Sequence, residues 1–224
     1  MSLILNMILH LSQCLSEVDL EAIKATLKDV SFHDGLSTAG RAALQVKQNQ
    51  QADMAEISGI LKLVEQRLLA NDLFVQSTYP QQFVRLLISR YQSGMRYGTH
   101  VDEALINNQR TDISFTLFLS EQTQYQGGEL VLEDSSGERS WKLDAGDLLL
   151  YPSTYLHRVN EVTDGERLVI VGWLTSRVRE SNQREILFDM EQSLRQEFNL
   201  NGKTEQYDRL SRVRNNLLRQ WLDR

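Results

Sequence analysis

Three patterns of apolar and polar positions succeed one another along the 224 residues. The first stretch, MSLILNMILHLSQCL, is apolar and reads as a strand. Ser16-Glu17-Val18-Asp19 has the form of a capping box, with Leu15 and Leu20 placed as a hydrophobic staple. It predicts a helix to about Asp29 that puts Leu20, Ile23 and Leu27 on one face. Residues 32–51 are rich in amides and carry Gly35 and Gly40, which suits loop and short strand. A second helix is predicted over 53–70, where Met54, Ile57, Ile60, Leu61, Val64 and Leu68 recur at helical spacing.

From residue 83 the period changes. FVRLLISRY, ISFTLFLS, GGELVLE, RSWKL, GDLLLYPS and RLVIVGWLTS are short apolar or alternating runs punctuated by Gly, Asp, Asn and Ser. Such runs predict an antiparallel sandwich or small barrel over 83–177. Pro80 and Pro152 fall at run edges, where a missing backbone donor does no harm. Gly127-Gly128 and Gly146-Asp147 read as tight turns. After Ser176 helical spacing returns: Ile186, Leu187, Met190, Leu194 and Phe198 form one stripe. Leu210, Val213, Leu217, Leu218 and Trp221 form another beyond the Asn201-Gly202 break. These stripes pack either on the core or on a second subunit, and a homodimer stays open. The expected plan is a mainly β core (83–177) flanked by an N-terminal strand and helices (1–82) and a C-terminal helical extension (178–224).

Composition narrows the function. With 41% hydrophobic and 24% charged residues the chain is an ordinary globular one, and its net charge of -6 gives no general attraction to nucleic acid. The basic residues Arg209, Arg212, Arg214 and Arg219 near the end have Glu205 and Asp208 as neighbours and read as a solvated helix face. Cys14 is the single cysteine, so no intrachain disulfide forms, which fits a reducing, cytoplasmic setting. The apolar start lacks a basic n-region and a small-residue cleavage site, and no stretch is long enough to span a membrane. Met1 and Met7 are both candidate starts.

The chemistry is concentrated in the histidines. His100-Val101-Asp102 is an H-x-D whose ends share one face of an extended strand. His157 would complete a two-histidine, one-carboxylate set, the facial arrangement of non-haem Fe(II) oxygenases. Alone, H-x-D is weak evidence, and a polar pair at a strand end would look the same. The longer spacing Tyr91-x-x-Gly94-x-x-Tyr97-x-x-His100-x-Asp102 is far more specific, as is the interval from His157 to Arg167 at the start of LVIVGW. An arginine in so apolar a run is costly unless a carboxylate meets it. The other reading is an outward-facing strand arginine.

These motifs resemble the prolyl-4-hydroxylase-like Fe(II)/2-oxoglutarate dioxygenases. Together with DGLSTAG, QVKQNQQ, YQGGELVLED and AGDLLLYPSTYLH, they resemble the bacterial PKHD-type hydroxylases over nearly the whole chain. The resemblance implies a double-stranded β-helix (jelly-roll) core. It implies His100, Asp102 and His157 as iron ligands and catalytic residues, Arg167 as the 2-oxoglutarate anchor and Tyr91 as its support. It further implies molecular oxygen as co-reactant, hydroxylation of a small-molecule or peptidyl substrate with release of succinate and carbon dioxide, L-ascorbate as auxiliary reductant, and a link to iron acquisition. A non-redox jelly roll, either a zinc hydrolase or a cupin-like binding module, is the competing reading, since the same triad can hold zinc. Arg110, Thr116 and Trp173 line a pocket or serve ordinary sheet packing. His10 and His33 read as structural or surface residues, and Lys47 and Asn49 take no firm role.

Overall fold

The computed structural model describes residues 8–38 and 45–222. The choice between Met1 and Met7, and the end of the DGLSTAG stretch, lie outside the described residues. In chain order the elements are β1 (Leu9–Leu11), α1 (Glu17–Leu27), β2 (Phe32–Asp34), a 3-10 turn (Gly35–Thr38), β3 (Lys47–Gln48), β4 (Gln50–Ala52), α2 (Ser58–Ala70) and α3 (Asp72–Thr78). Then come β5 (Pro80–Gln92), β6 (Arg96–His100), β7 (Leu105–Ile106), β8 (Gln109–Arg110), β9 (Ile113–Phe118), β10 (Tyr125–Gly127), β11 (Leu130–Asp134) and β12 (Gly137–Trp141). The chain ends with β13 (Leu148–Pro152), β14 (Leu156–Val159), β15 (Val162–Ser176), α4 (Ser181–Asn201) and α5 (Glu205–Trp221).

The strands form two facing antiparallel sheets and a separate two-stranded hairpin, β7-β8. The larger runs β1-β13-β9-β15-β5-β4-β2 with β10 paired to β15, and the smaller runs β12-β11-β14-β6-β3. This is the jelly roll the sequence resemblance implied. Period-two alternation in the larger sheet separates two cores. Ile113, Phe115 and Leu117 on β9, with Leu86 and Ile88 on β5, pack outward against Leu20, Ile23, Ile60, Val64 and Phe74 of α1–α3. Phe118, Leu149, Tyr151 and Val169 face inward to the smaller sheet and meet Leu130, Leu132 and Val159 there. β9 is buried on both faces, so Ser114 and Thr116, which alternate with its large apolar residues, point into the space between the sheets.

The helix signals hold where caps are present. Ser16 and Asp19 make the full capping box of α1, and Leu15 and Leu20 are both buried. α2 starts later than its apolar spacing predicted, at Ser58. Asp53 takes the Ala55 backbone N–H at 2.8 Å and its carbonyl accepts from Glu56, which closes a turn and leaves Met54 exposed. The sequence reading also missed α3, a separate short helix capped by Asn71.

In the C-terminal hairpin the predicted stripes are thinner than expected. Leu187 and Leu194 are buried, whereas Ile186, Phe198 and Val213 are exposed, and α5 buries no residue fully. Arg214 leaves the solvated face assigned to it and pairs with Glu191 of α4 at 2.6 Å. No helix among the described residues is long and apolar enough to cross a membrane.

Candidate active site

A cavity of about 750 Å³ opens between the two sheets. Its size is that of a small-molecule site. The smaller sheet brings the metal-ligating types together: His157 on β14 is the direct cross-strand partner of His100 on β6, and Asp102 follows two residues on. One donor atom from each of the three lies within 4.8 Å of the others. Asp102 Oδ1 stands 3.9 Å from His100 Nε2 and 3.7 Å from His157 Nε2.

Each donor is held from behind. His100 Nδ1 donates to the Gly98 carbonyl at 2.9 Å and His157 Nδ1 to the Tyr155 carbonyl at 3.1 Å, which leaves each Nε2 as the lone-pair nitrogen. Ser114 donates its hydroxyl to Asp102 Oδ2 at 2.6 Å and lies 2.7 Å from the Ser153 hydroxyl. Tyr97 stacks on His100 with ring centroids 3.7 Å apart, and Tyr151 meets His157 edge-on. Burial, and then the neighbouring His157, push the His100 imidazole down to about 4, so it is neutral and free to coordinate near pH 7. Two imidazoles and a carboxylate converging from one wall suit a divalent metal such as Fe(II).

The larger sheet supplies the second feature. Arg167 on β15 faces Tyr91 on β5 as a direct cross-strand partner. Arg167 is 1% exposed, and its Nε and Nη1 find no hydrogen-bond partner among the described residues. Its carbon lies 5.1 Å from the Tyr91 ring centroid and 5.5 Å from that of Phe118. A buried cation with free donors at a cavity wall is arranged for a carboxylate that arrives from outside the chain. Burial pushes the Tyr91 hydroxyl up; the Arg167 charge and a hydrogen bond from Asn49 act against that rise. Tyr91 thus keeps its proton and can donate it in a hydrogen bond.

The remaining candidates sort by position. Thr116 and Trp173 line the cavity. Arg110 is turned instead to Asp112 and the Ser176 carbonyl. His10 pairs with Asp147 at 2.6 Å and His33 lies 3.5 Å from Asp53, both away from the triad. Gly127 and Gly128 have φ of 70° and 68°, as their turn requires. Several cavity residues escaped the sequence reading. Ser114 gave no signal within its apolar run, and Tyr151 was hidden in GDLLLYPS. Lys47 and Asn49 sat in a motif whose chemistry was unassigned, yet both are buried and line the cavity.

Comparison with known proteins agrees with this geometry. Residues 86–175 match the family model of the 2OG-Fe(II) oxygenase superfamily. The chain is 51% identical over 217 residues to a PKHD-type hydroxylase of Idiomarina loihiensis, covering 97% of this chain and 100% of that one. It is 48% identical to a PKHD-type hydroxylase of Picosynechococcus sp., covering 96% and 99% respectively. Among solved structures, a prolyl-4-hydroxylase of Pseudomonas putida superposes with a TM-score of 0.54 at 21% identity, over 76% of this chain and 92% of that one, which establishes the shared fold.

Proposed function

This chain belongs to the PKHD-type hydroxylases of the Fe(II)- and 2-oxoglutarate-dependent oxygenases, and we propose that His100, Asp102 and His157 hold its iron while Arg167, supported by Tyr91, holds its 2-oxoglutarate. The enzyme is a dioxygenase that hydroxylates its substrate and releases succinate and carbon dioxide. The observation that carries the residue assignment is the shared cavity. Three donors with their rear atoms already satisfied stand on one wall, and a buried cation with open donors stands on the other.

Bound Fe(II) supplies the oxidising chemistry that carbon hydroxylation needs. The protein contributes the rest. The two backbone carbonyls behind the imidazoles fix their tautomers, and Ser114 fixes the carboxylate rotamer. Arg167 gives bidentate, always-charged recognition to the distal carboxylate of 2-oxoglutarate, and Tyr91 keeps a donor beside it. The apolar inner faces of both sheets exclude water from the reacting centre. L-Ascorbate serves as auxiliary reductant and the cytoplasm is the working compartment. The family resemblance supports the first, and the buried, unpaired thiol of Cys14 the second. A zinc hydrolase would have no need of Arg167, and neither that alternative nor an iron-acquisition role draws support from the relatives described above.

Anaerobic addition of Fe(II) and then 2-oxoglutarate tests the assignment. A weak visible charge-transfer band is expected. It should be lost in Asp102→Ala, and in Arg167→Ala it should demand far more 2-oxoglutarate. A band that ignores both substitutions would refute the roles.

A further inference from the structure

The cavity has a second cationic pole, set apart from Arg167. Lys47 on β3 is 7% exposed and lines the cavity. Its ammonium stands 5.4 Å from the ring centroid of Tyr97, which in turn stacks on His100. Arg85 on β5 lines the same cavity and its charge reaches Lys47.

Strand register places this pole. Arg85, Leu87, Ser89 and Tyr91 are alternate β5 positions on the cavity wall. Tyr91 is opposite Arg167, while Arg85 is opposite Trp173. Six residues of strand, roughly 20 Å of backbone, therefore separate the Cα of Arg85 from that of Tyr91 opposite Arg167. Trp173 also pairs with Ser114, the residue that holds Asp102. Arg85 thus leaves the wall from a different level of β5 than the one opposite Arg167. Occupation of Arg167 by 2-oxoglutarate leaves this pole for another anion.

We propose that the primary substrate is a small organic acid with an apolar body, its carboxylate seated between Lys47 and Arg85 and its body lying on Val101, Leu105 and Leu156 at the mouth. This rests on the oxygenase reading above, which assigns Arg167 to the cosubstrate. Val101, Leu105 and Leu156 are 52%, 58% and 44% exposed although apolar, and all three line the cavity. Glu103 is exposed at the same rim and repels an acid from that side, which favours an orientation with the carboxylate inward. Burial, with Arg85 adding to it, pulls the Lys47 amine down to about 8, and the carboxylate of Asp34 acts in the other direction.

The test uses full-length protein loaded with Mn(II) and saturated with 2-oxoglutarate under anaerobic conditions. Proton line broadening by the metal reports binding of octanoate, octanol, octylamine and butyrate. Octanoate should bind about tenfold more tightly than octanol, the size of one charged hydrogen bond, and more tightly than octylamine or butyrate. Lys47→Gln and Arg85→Gln should each remove about that factor and leave 2-oxoglutarate affinity unchanged. Equal broadening by the three eight-carbon probes would overturn the proposal, as would a carboxylate preference that survives both substitutions. So would an equal loss of 2-oxoglutarate affinity in Lys47→Gln, which would assign that lysine to the cosubstrate. Should the buried Lys47→Gln variant fail to fold, Arg85→Gln at its half-buried site decides. Metal and 2-oxoglutarate binding are read in the same samples; their failure would refute the parent reading, and this inference with it.

Discussion

Ser114 donates its hydroxyl to Asp102 Oδ2 at 2.6 Å, across the gap between the two sheets. The bond ties the carboxylate of the smaller sheet to a fully buried strand of the larger one. It leaves Oδ1 as the oxygen that faces the two imidazoles. Ser114→Ala should therefore weaken Fe(II) binding by about tenfold to a hundredfold, the usual effect of losing a residue that orients a metal ligand. Chelator competition measures it; unchanged affinity would show that Asp102 is positioned by other means.

Among the described residues, Nε and Nη1 of the buried Arg167 have no hydrogen-bond partner. Arg167→Ala should raise the Kd for 2-oxoglutarate by roughly a hundredfold or more, because a desolvated bidentate contact is lost. Iron affinity should hardly move. Isothermal titration with each ligand separates the two effects, and a parallel loss of both would contradict an anchor role for Arg167.

The same argument predicts an opposite effect on stability. Arg167→Met replaces a buried, unsatisfied cation by an apolar side chain of similar length. Ligand-free Arg167→Met should melt at a higher temperature than ligand-free wild type. Added 2-oxoglutarate should raise the Tm of the metal-loaded wild type and not of the variant, since only a ligand that binds the native state stabilises it. Thermal scans with and without the ligand give both comparisons.

Acid sensitivity has a definite source at the N-terminal helix. Arg67 donates to both oxygens of Asp19 at 3.0 and 2.8 Å, and Ser16 adds the capping contacts, so the carboxyl falls from 3.8 to about 2. A folded value below the unfolded one means that this stabilisation is complete above about pH 4. It is lost as pH falls from there toward about 2. Asp19→Asn should be less stable at neutral pH and should flatten the dependence of Tm on pH in that window. An unaltered profile would remove Asp19 from the acid response.

The legibility of the chain in its sequence follows from what each signal depends on. Local signals were legible: the capping box at Ser16 and Asp19, the Asn201-Gly202 break and the runs that became β5, β9, β13 and β15. β14, which carries His157, was missed because it is short and half polar; the strand read at His100 is β6, but it ends there and Asp102 lies beyond it. Their side chains are chosen by the site they face, not by packing. Arg167 was legible because a charge in an apolar run demands a partner. Ser114 was not, because its partner lies across the sheets and a serine in a strand carries no such demand. Lys47 stood in a loop-like segment whose pairing to β6 no local pattern announces. Met54 misled for the opposite reason: helical spacing continued through it, while the Asp53 turn delayed the helix.

The proposed metal binding by His100, Asp102 and His157 is tested by anaerobic titration of Fe(II) into wild type, His100→Ala, Asp102→Ala and His157→Ala, each shown to be folded by circular dichroism. Wild type should take up one equivalent and develop the visible band on addition of 2-oxoglutarate, and each variant should bind iron at least about a hundredfold more weakly and lack the band. Folded variants that retain both iron and the band would place the metal elsewhere and contradict the assignment of this cavity.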